Sequence, residues 1–348
     1  MINKKASLAK NQQGEKVIQI EFPYDVETLT NIRTLPGRKW HAEQNCWSAP
    51  IFPETIKQLE EWGFTLNDTL LETLSTKKKE EKANVAKGPL KLKGNLYPFQ
   101  REGVAFIERN NGRALVADEM GLGKTVQALA WIEAHPKKRP VIIVVPASLK
   151  LNWAKEALTW LTKPNLEILM GTTPWKVTGD IIIINYDVLP AWVETLKRKR
   201  PQVLITDECH YYKSNKALRT KAVKKLGKGI PHVIALSGTP IVNKPIEAYN
   251  ALRLIRPEVF SSSQYYIQRY CDPKWNGFGL DTSGASHTQE LHELLTGTVM
   301  IRRLKRDVLP QLPPKARSFV PVPVSYAHLT LPTLYPHEIS GFAHPFNK

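Results

Sequence analysis

The chain has 348 residues, of which 42% are hydrophobic and 23% are charged, as in a typical globular protein. Lysine and arginine outnumber aspartate and glutamate by 49 to 32, and the net charge of +17 favours a polyanionic partner, most often nucleic acid. The alternative is that lysine only keeps the protein soluble. The three cysteines are far apart, the N-terminus lacks the apolar core of a signal peptide, and no apolar run reaches the ~20 residues of a membrane helix. These features exclude a disulfide scaffold and a membrane-spanning protein and indicate a reducing, intracellular compartment.

The first 74 residues predict a small α+β module. Residues 17–22 (VIQIEF) alternate between apolar and polar side chains as a strand does, and a short helix follows with Asp25 at its N-cap. Residues 35–51 predict two short strands joined by a polar turn, and residues 53–64 predict a second helix. The predicted order of the module 1–74 is therefore β-α-β-β-α.

A linker and a larger domain follow. Residues 75–94 are rich in lysine and mixed in charge, which is typical of a linker. From 95 to 255, short β-branched apolar runs alternate with helix-like segments, and these runs are RALVA, VIIVVP, DIIIINY, QVLITD and HVIALS. Because such strands are buried on both faces, the pattern predicts an α/β fold, a doubly wound parallel sheet with helices on both faces.

The C-terminal part changes character twice. Residues 256–299 predict mostly helix, and residues 300–315 (MIRRLKRDVLPQLPPK) form a segment that we call the basic bridge. From 318 to 347 there is no lysine or arginine and one acidic residue, and prolines recur. This composition predicts a disordered or poorly packed tail over 316–348. The alternative is sequence foreign to the original gene.

A glycine-rich turn, residues 114–132 (ALVADEMGLGKTVQALAWI), lies between a predicted strand and a predicted helix. Backbone N–H groups and the helix dipole favour a phosphate at such a turn. Gly121 and Gly123 let the backbone approach the phosphates, Lys124 would reach the β- and γ-phosphates, and the Thr125 hydroxyl would bind Mg²⁺. The alternative is a glycine-rich turn that precedes Lys-Thr by chance, since the generic motif has glycine at the first position. The remaining loop residues that we assign to nucleotide binding are Asp118, which replaces that glycine, Glu119, Met120 and Leu122.

Two acids follow the predicted strand VLIT. Ligands of open α/β sheets bind at the carboxyl ends of the strands, so Asp207 can share Mg²⁺ with Thr125, directly or through water. Glu208 can orient and deprotonate the water that attacks the γ-phosphate. Neighbouring residues on a strand face opposite ways, and no second Cys or His pair has zinc spacing. We therefore predict no structural zinc, a buried Cys209, and a His210 that acts as a polar relay from the nucleotide to the next strand.

The next predicted strand ends in SGTP. Ser237, Gly238 and Thr239 would place two hydroxyls and a tight turn beside the acid pair. SGTP alone is a common loop composition. After a phosphate loop and an acid pair, in this order, it becomes a third functional motif.

Together these motifs resemble the Swi/Snf-type DNA translocases of helicase superfamily two. DEMGLGKT is similar to the phosphate loop of that family, which accounts for Asp118, and DECH is similar to its acid box. LYPFQREGV resembles its adenine-recognition segment, with Gln100 as the base-reading side chain. The resemblance covers roughly residues 95–315. It implies a RecA-like fold for the α/β domain, ATP and Mg²⁺ as ligands, and a coupling role for SGTP and for His210.

The same resemblance implies binding of duplex or forked DNA through the phosphate backbone. VVPASLKLNWAKE is similar to the family's first DNA-contact motif, which assigns Ser148, Lys150 and Asn152 to DNA. Arg302 and Arg303 of the basic bridge form a further cationic cluster that we assign to DNA; the alternative is a solvated face. Little base specificity and a steep dependence on salt are expected.

The N-terminal module adds a weaker resemblance. LPGRKWHAEQNCWSAP is similar to the HepA-related (HARP) domain that accompanies annealing-helicase motors. Trp40 and Trp47 could stack on bases there. The alternative is that both tryptophans form the core of the module.

The family motor has two RecA-like lobes, and the second supplies an arginine that is worth ~10³ to 10⁵ in rate in other NTPases. The resemblance makes this chain the first lobe, ending just past the basic bridge, so we expect weak hydrolysis from it alone. The expected function is the ATP-binding lobe of a DNA-dependent ATPase that translocates on or reanneals duplex DNA, with Lys124, Asp207 and Glu208 in the chemistry. The alternatives are a non-catalytic DNA-binding fragment and the motor lobe of an RNA helicase or restriction enzyme. We expect it in the nucleoid of a bacterium or the nucleus of a eukaryote.

Overall fold

The computed structural model describes residues 4–11, 16–51, 53–72, 92–239, 244–277, 279–309 and 311. The predicted tail (316–348) and most of the predicted linker (75–91) lie outside these residues. Residues Met1–Val308 form one compact unit by their internal contacts, and this unit contains all the elements described below. The individual domain boundaries stay predictions.

The N-terminal module is built on a five-stranded sheet of order β3-β4-β2-β1-β5. Its elements are β1 (Lys5–Lys10), β2 (Lys16–Glu21), α1 (Val26–Ile32), β3 (Lys39–His41), β4 (Cys46–Pro50), α2 (Pro53–Glu61) and β5 (Thr65–Leu66). The predicted β-α-β-β-α elements are confirmed, and Asp25 caps α1 by accepting a hydrogen bond from the Thr28 N–H at 2.8 Å. The prediction omits β1 and β5. Apart from Leu8, the residues KASLAK of β1 are small or charged, and β5 has only two residues, so neither carries a clear strand pattern.

The two tryptophans of the module have different surroundings. Trp47 is half-buried and packs against the module's core, which includes the fully buried Ile18 and Leu59. Trp40 is 48% exposed, and its ring lies 5.3 Å from that of Trp47. Trp47 is therefore packed against the core of the module, and Trp40 is the more exposed of the two rings.

The larger domain is a seven-stranded parallel sheet of order β14-β6-β11-β10-β7-β9-β8. Its strands are β6 (Arg113–Val116), β7 (Val141–Val145), β8 (Leu166–Ile168), β9 (Ile181–Asn185), β10 (Val203–Thr206), β11 (His232–Leu236) and β14 (Met300–Ile301). The helices are α3 (Pro98–Arg109), α4 (Lys124–Ala134), α5 (Lys150–Trp160), α6 (Leu189–Arg198), α7 (Leu218–Gly227), α8 (Tyr249–Ile255), α9 (Ser263–Tyr270), α10 (Thr288–Thr298) and α11 (Lys305–Val308). Between α9 and α10, β12 (Lys274–Trp275) and β13 (Leu280–Asp281) form a separate antiparallel pair.

Both faces of the large sheet are covered, as the apolar runs predict. All residues of β7 are fully buried, and they divide between two cores. Ile142 and Val144 belong to one core, whereas Val141 and Ile143 belong to the other, because successive side chains of a strand point to opposite faces. The doubly wound fold is therefore confirmed.

Two strands of this sheet, β8 and β14, have no counterpart in the prediction. β14 is formed by the first residues of the basic bridge and pairs with β6. The Leu115 N–H donates to the Val299 carbonyl and the Ala117 N–H donates to the Ile301 carbonyl, each at 2.7 Å. The bridge therefore begins inside the sheet, next to the strand that leads into the phosphate loop. No helix in the described residues is long and apolar enough to cross a membrane.

Candidate nucleotide-binding site

The phosphate loop connects β6 to α4. Gly121 and Gly123 have φ angles of 87° and 74°, in the left-handed region that favours glycine. A Cβ atom on Gly123 would lie 2.4 Å from Nε2 of Gln100, so a larger residue would also collide. α4 begins at Lys124, and its first N–H groups and the positive end of its dipole lie at the loop. This arrangement suits a bound phosphate.

Lys124 lies inside the loop. Its Nζ donates a hydrogen bond to the Asp118 carbonyl at 2.9 Å. Burial lowers the pKa of Lys124, and the charges of Glu208 and Asp207 act against that shift. The ammonium group of Lys124 is therefore within the electrostatic field of Asp207 and Glu208. The predicted nucleotide site, in which all three residues act on one triphosphate, requires this proximity.

Asp207 follows β10 and is 7% exposed. Its Oδ2 accepts a hydrogen bond from Nε1 of Trp153 at 2.7 Å, and its Oδ1 accepts one from the Glu208 N–H at 3.0 Å. Burial is the main cause that raises the pKa of Asp207, and the Trp153 hydrogen bond opposes it. Each carboxylate oxygen has further acceptor capacity, so the group is fixed in direction and still able to bind a cation.

The donor set at this site fits magnesium. Thr125, the second residue of α4, is half-buried and offers a hydroxyl, and Asp207 offers a carboxylate. Mg²⁺ typically keeps several waters and takes one or two protein carboxylates together with phosphate oxygens. No further protein ligand is required by this chemistry.

Glu208 has an unusual backbone conformation, with φ of 48° and ψ of 58°. The left-handed region costs a residue other than glycine about 1–3 kcal/mol, and such residues cluster at functional sites. Oε2 of Glu208 accepts a hydrogen bond from Oγ of Ser237 at 3.4 Å and lies 3.2 Å from Nδ1 of His210. The structure thus brings together Glu208, His210 and Ser237, whose roles stay predictions. Cys209 is buried as predicted, and burial raises the pKa of its thiol to about 12.

The SGTP motif contacts the phosphate loop directly. A Cβ atom on Gly238 would lie 2.7 Å from Cγ of Met120, so the two segments are in close contact. The Thr239 N–H donates to Oγ of Ser237 at 3.2 Å, which closes the turn, and Thr239 itself is exposed. Nη1 of Arg302 lies 3.3 Å from the Gly238 carbonyl, to which it donates. The three motifs therefore meet at the carboxyl edge of the sheet.

Gln100 is buried beside the loop. Its Oε1 accepts a hydrogen bond from the Tyr97 N–H at 3.0 Å, which caps α3, and its Nε2 donates to the Leu122 carbonyl at 3.3 Å. The side chain is therefore placed next to the loop backbone. Its reading of adenine stays a prediction.

Asp118 and Arg303 differ from their predicted roles. Asp118 has no exposed surface, and its carboxylate points into the protein, where Arg303 and Gln127 donate to it. Only its backbone carbonyl contacts Lys124. The sequence predicts a DNA contact for Arg303, whereas its side chain is 12% exposed and its guanidinium pairs with Asp118. Sequence charge alone does not indicate which side chains face inward.

Of the other predicted DNA residues, Arg302 is exposed in the basic bridge. Ser148 lies just before α5, and Lys150 and Asn152 lie in its first turn, after β7 and therefore at the same edge of the sheet. Ser148 and Asn152 are exposed. Lys150 is half-buried, and its Nζ donates to the Leu169 carbonyl at 3.3 Å. Their contact with DNA stays a prediction.

The sequence motifs do not identify two residues that contact Asp207. Trp153 orients Asp207, and the Tyr186 hydroxyl donates to the Asp207 carbonyl at 2.6 Å. Both are fully buried, and burial raises the pKa of Tyr186 well above its ordinary value. Trp153 stands in the segment VVPASLKLNWAKE and Tyr186 ends the apolar run DIIIINY, but their spacing from Asp207 in the sequence gives no indication of contact.

The family model of the SNF2-related domain matches residues 99–333. One relative is the SWI/SNF-related matrix-associated actin-dependent regulator of chromatin subfamily A-like protein 1 of Xenopus laevis. The two sequences are 40% identical over 235 residues, and this match covers 67% of this chain and 24% of the relative. A second relative is the DNA annealing helicase and endonuclease ZRANB3 of Mus musculus. The chain is 38% identical to it over 248 residues, and this match covers 67% of this chain and 23% of the relative. The chain thus spans about a quarter of the length of these relatives.

A solved structure is also similar, the Sulfolobus solfataricus SWI2/SNF2 ATPase core in complex with dsDNA. The match has a TM-score of 0.55 and 26% sequence identity, and it covers 65% of this chain and 48% of that one. The matched family region contains the phosphate loop, the acid pair and the SGTP motif. From its motifs, its fold and these matches, the chain belongs to the SNF2-related domain family.

Proposed function

We propose that this chain is the ATP-binding lobe of a DNA-dependent ATPase that uses hydrolysis to translocate on or reanneal duplex DNA. The observation that carries the proposal is the meeting of three motifs at one edge of the sheet. Lys124 lies in the field of Asp207 and Glu208, and Ser237 donates to Glu208. A triphosphate on the loop would have both a cation site and a general base at its terminal phosphate.

Each residue then has a definite task. The N–H groups around Gly123 and the Lys124 ammonium bind the phosphates, and Asp207 and Thr125 would hold Mg²⁺. Bound Mg²⁺ supplies charge neutralisation at the phosphate oxygens. Glu208 orients a water molecule and accepts its proton as oxygen attacks the γ-phosphorus and the bond to the ADP oxygen breaks.

The polymer that we propose is DNA, bound through its backbone. The net charge of +17 favours a polyanion. One relative is named a DNA annealing helicase, and the similar solved structure is a complex with dsDNA. The exposed residues Ser148 and Asn152 lie at the same edge of the sheet as the nucleotide site, so DNA and nucleotide would bind on one side of the lobe.

Nucleotide binding and ATP hydrolysis by the purified chain, with and without duplex DNA, test the proposal. Lys124→Ala should abolish binding of a fluorescent ATP analogue, whereas Glu208→Gln should keep binding and lose turnover; both should still bind DNA. Lys57→Ala, whose side chain is 77% exposed in the N-terminal module, is the matched control for loss of a lysine.

Three outcomes would contradict the proposal. DNA binding without nucleotide binding would identify a non-catalytic DNA-binding protein. Stimulation by RNA and not by duplex DNA would identify an RNA-dependent motor. Normal turnover in Glu208→Gln would remove the general base from the mechanism.

A further inference from the structure

The carboxylate of Asp118 is the centre of a buried polar network. It has no exposed surface, and it accepts hydrogen bonds from Nε2 of Gln127 at 3.0 Å, from the Arg303 N–H at 3.1 Å and from Nε of Arg303 at 3.0 Å. Nη2 of Arg303 adds a fourth at 2.5 Å. A buried carboxylate with four donors is held in one orientation.

The guanidinium of Arg303 is occupied on its other sides as well. Nη2 donates to Oε1 of Gln127 at 3.0 Å, and Nη1 donates to the Phe99 carbonyl. The side chain is 12% exposed and also lies against the Phe99 ring. Gln127, which lies on α4 directly after the loop, therefore hydrogen-bonds to both Asp118 and Arg303 and links the two side chains.

The backbone around Arg303 runs beside the start of the phosphate loop. The strand pairing of β14 with β6 continues one step further, since the Glu119 N–H donates to the Arg303 carbonyl at 2.9 Å. The Lys305 N–H then donates to Oε2 of Glu119 at 2.7 Å. The first residues of the basic bridge thus hold the loop at Asp118 and Glu119 through both backbone and side chains.

We propose that Arg303 is a positioning residue for nucleotide binding, which acts through Asp118, so that the phosphate loop and the start of the basic bridge order one another. The idea rests on the proposed function, in which the loop binds a triphosphate. Coupling of this kind is reciprocal: a group that favours the binding-competent loop raises nucleotide affinity, and bound nucleotide stabilises that group's contacts. The planar guanidinium suits the task, because its fork of donors fixes the carboxylate in position and direction.

Hydrogen–deuterium exchange of the wild-type chain provides the first test, with Mg²⁺ and ATPγS as the probe. The N–H groups of Arg303 and Lys305 should exchange more slowly with the probe bound, together with those of residues 121–125. Residues 181–185 of β9, which are remote from the network, serve as the internal control.

The exchange results separate the inference from the proposed function. Slower exchange in residues 121–125 without any change at Arg303 and Lys305 would overturn the inference and leave nucleotide binding intact. No change in residues 121–125 would contradict the proposed function itself, and the inference with it.

Variants provide the second test, through the dissociation constant for a fluorescent ATP analogue with Mg²⁺. Arg303→Gln should weaken binding about tenfold, within the usual range of coupling between sites. Arg303→Lys should restore little, because a lysine cannot reach the partners of the fork together. Arg306→Gln removes the same charge from the same segment at an 81% exposed side chain and should bind as wild type does.

A wild-type dissociation constant in Arg303→Gln would overturn the inference. If that variant fails to fold, the exchange experiment still decides, because it needs no substitution.

Discussion

The contact between Trp153 and Asp207 yields a prediction with a defined pH dependence. Nε1 of Trp153 donates to Oδ2 of Asp207 at 2.7 Å, and both side chains are buried. Trp153→Phe keeps an aromatic ring in the core and removes the donor. A hydrogen bond to a charged group contributes about 1.5–3 kcal/mol, so we expect a loss of that size at neutral pH in addition to the packing loss.

The sign of the pH dependence follows from the pKa of Asp207. Burial raises this pKa, and the Trp153 hydrogen bond opposes the shift, so the pKa in the folded variant lies higher still. The unfolded chain keeps the ordinary value. Consider a pH between the pKa of Asp207 in the folded wild type and its higher pKa in the folded variant. There Asp207 is protonated in the folded variant and ionised in the folded wild type. The unfolding free energy of the variant therefore falls relative to that of the wild type as pH rises. The added loss is therefore complete above the variant's pKa and absent when Asp207 is protonated in both proteins.

Trp192→Phe is the matched control. Trp192 is also fully buried, and its Nε1 donates at 2.9 Å to the carbonyl of Gly171, which does not titrate. Urea unfolding of both variants and of wild type, at pH 7 and at pH 4, measures the difference. Trp153→Phe should lose more stability at pH 7 than at pH 4, and Trp192→Phe should lose the same at both. A pH-independent loss in Trp153→Phe would refute the assignment of Trp153 as the donor that stabilises ionised Asp207.

Three further predictions test the loop, the network and the DNA edge. Gly123→Ala should weaken nucleotide binding about 5- to 150-fold, since a left-handed alanine costs about 1–3 kcal/mol and its Cβ would meet Gln100. Gly229→Ala, with positive φ and open space, should bind as wild type does. Gly103→Ala should lower the melting temperature, because its Cβ would lie 1.7 Å from Oε1 of Gln127 and overpacking costs about 1–3 kcal/mol; Gly279→Ala, with no neighbouring atom within 4 Å, should not. Lys150→Ala should reduce the slope of log DNA affinity against log salt by about 0.9, as expected for loss of one phosphate contact, and an unchanged slope would remove Lys150 from the DNA interface.

Most of the fold could be predicted because strands buried on both faces need unbroken apolar runs. β6, β7, β9, β10 and β11 all carry such runs, and all five lie in the large sheet. β8 and β14 stand at its two edges, have three and two residues, and are half-buried in part, so neither leaves a pattern in the sequence. The same limit applies to β5, which has two residues and stands at one edge of the small sheet. Edge strands are specified by the strand that they pair with, and a single sequence does not show that partner.

The phosphate loop shows the same limit at the level of single side chains. Motif and spacing identify Lys124, Asp207 and Glu208, because their chemistry depends on short segments at the ends of neighbouring strands. The carboxylate of Asp118 instead depends on Arg303, 185 residues away. In sequence, Asp118 resembles a ligand contact because it stands in the loop, and Arg303 resembles a DNA contact because it stands in a cationic cluster. In the structure the two charges satisfy each other, so one arginine of the cationic cluster that suggests DNA binding instead holds the nucleotide loop.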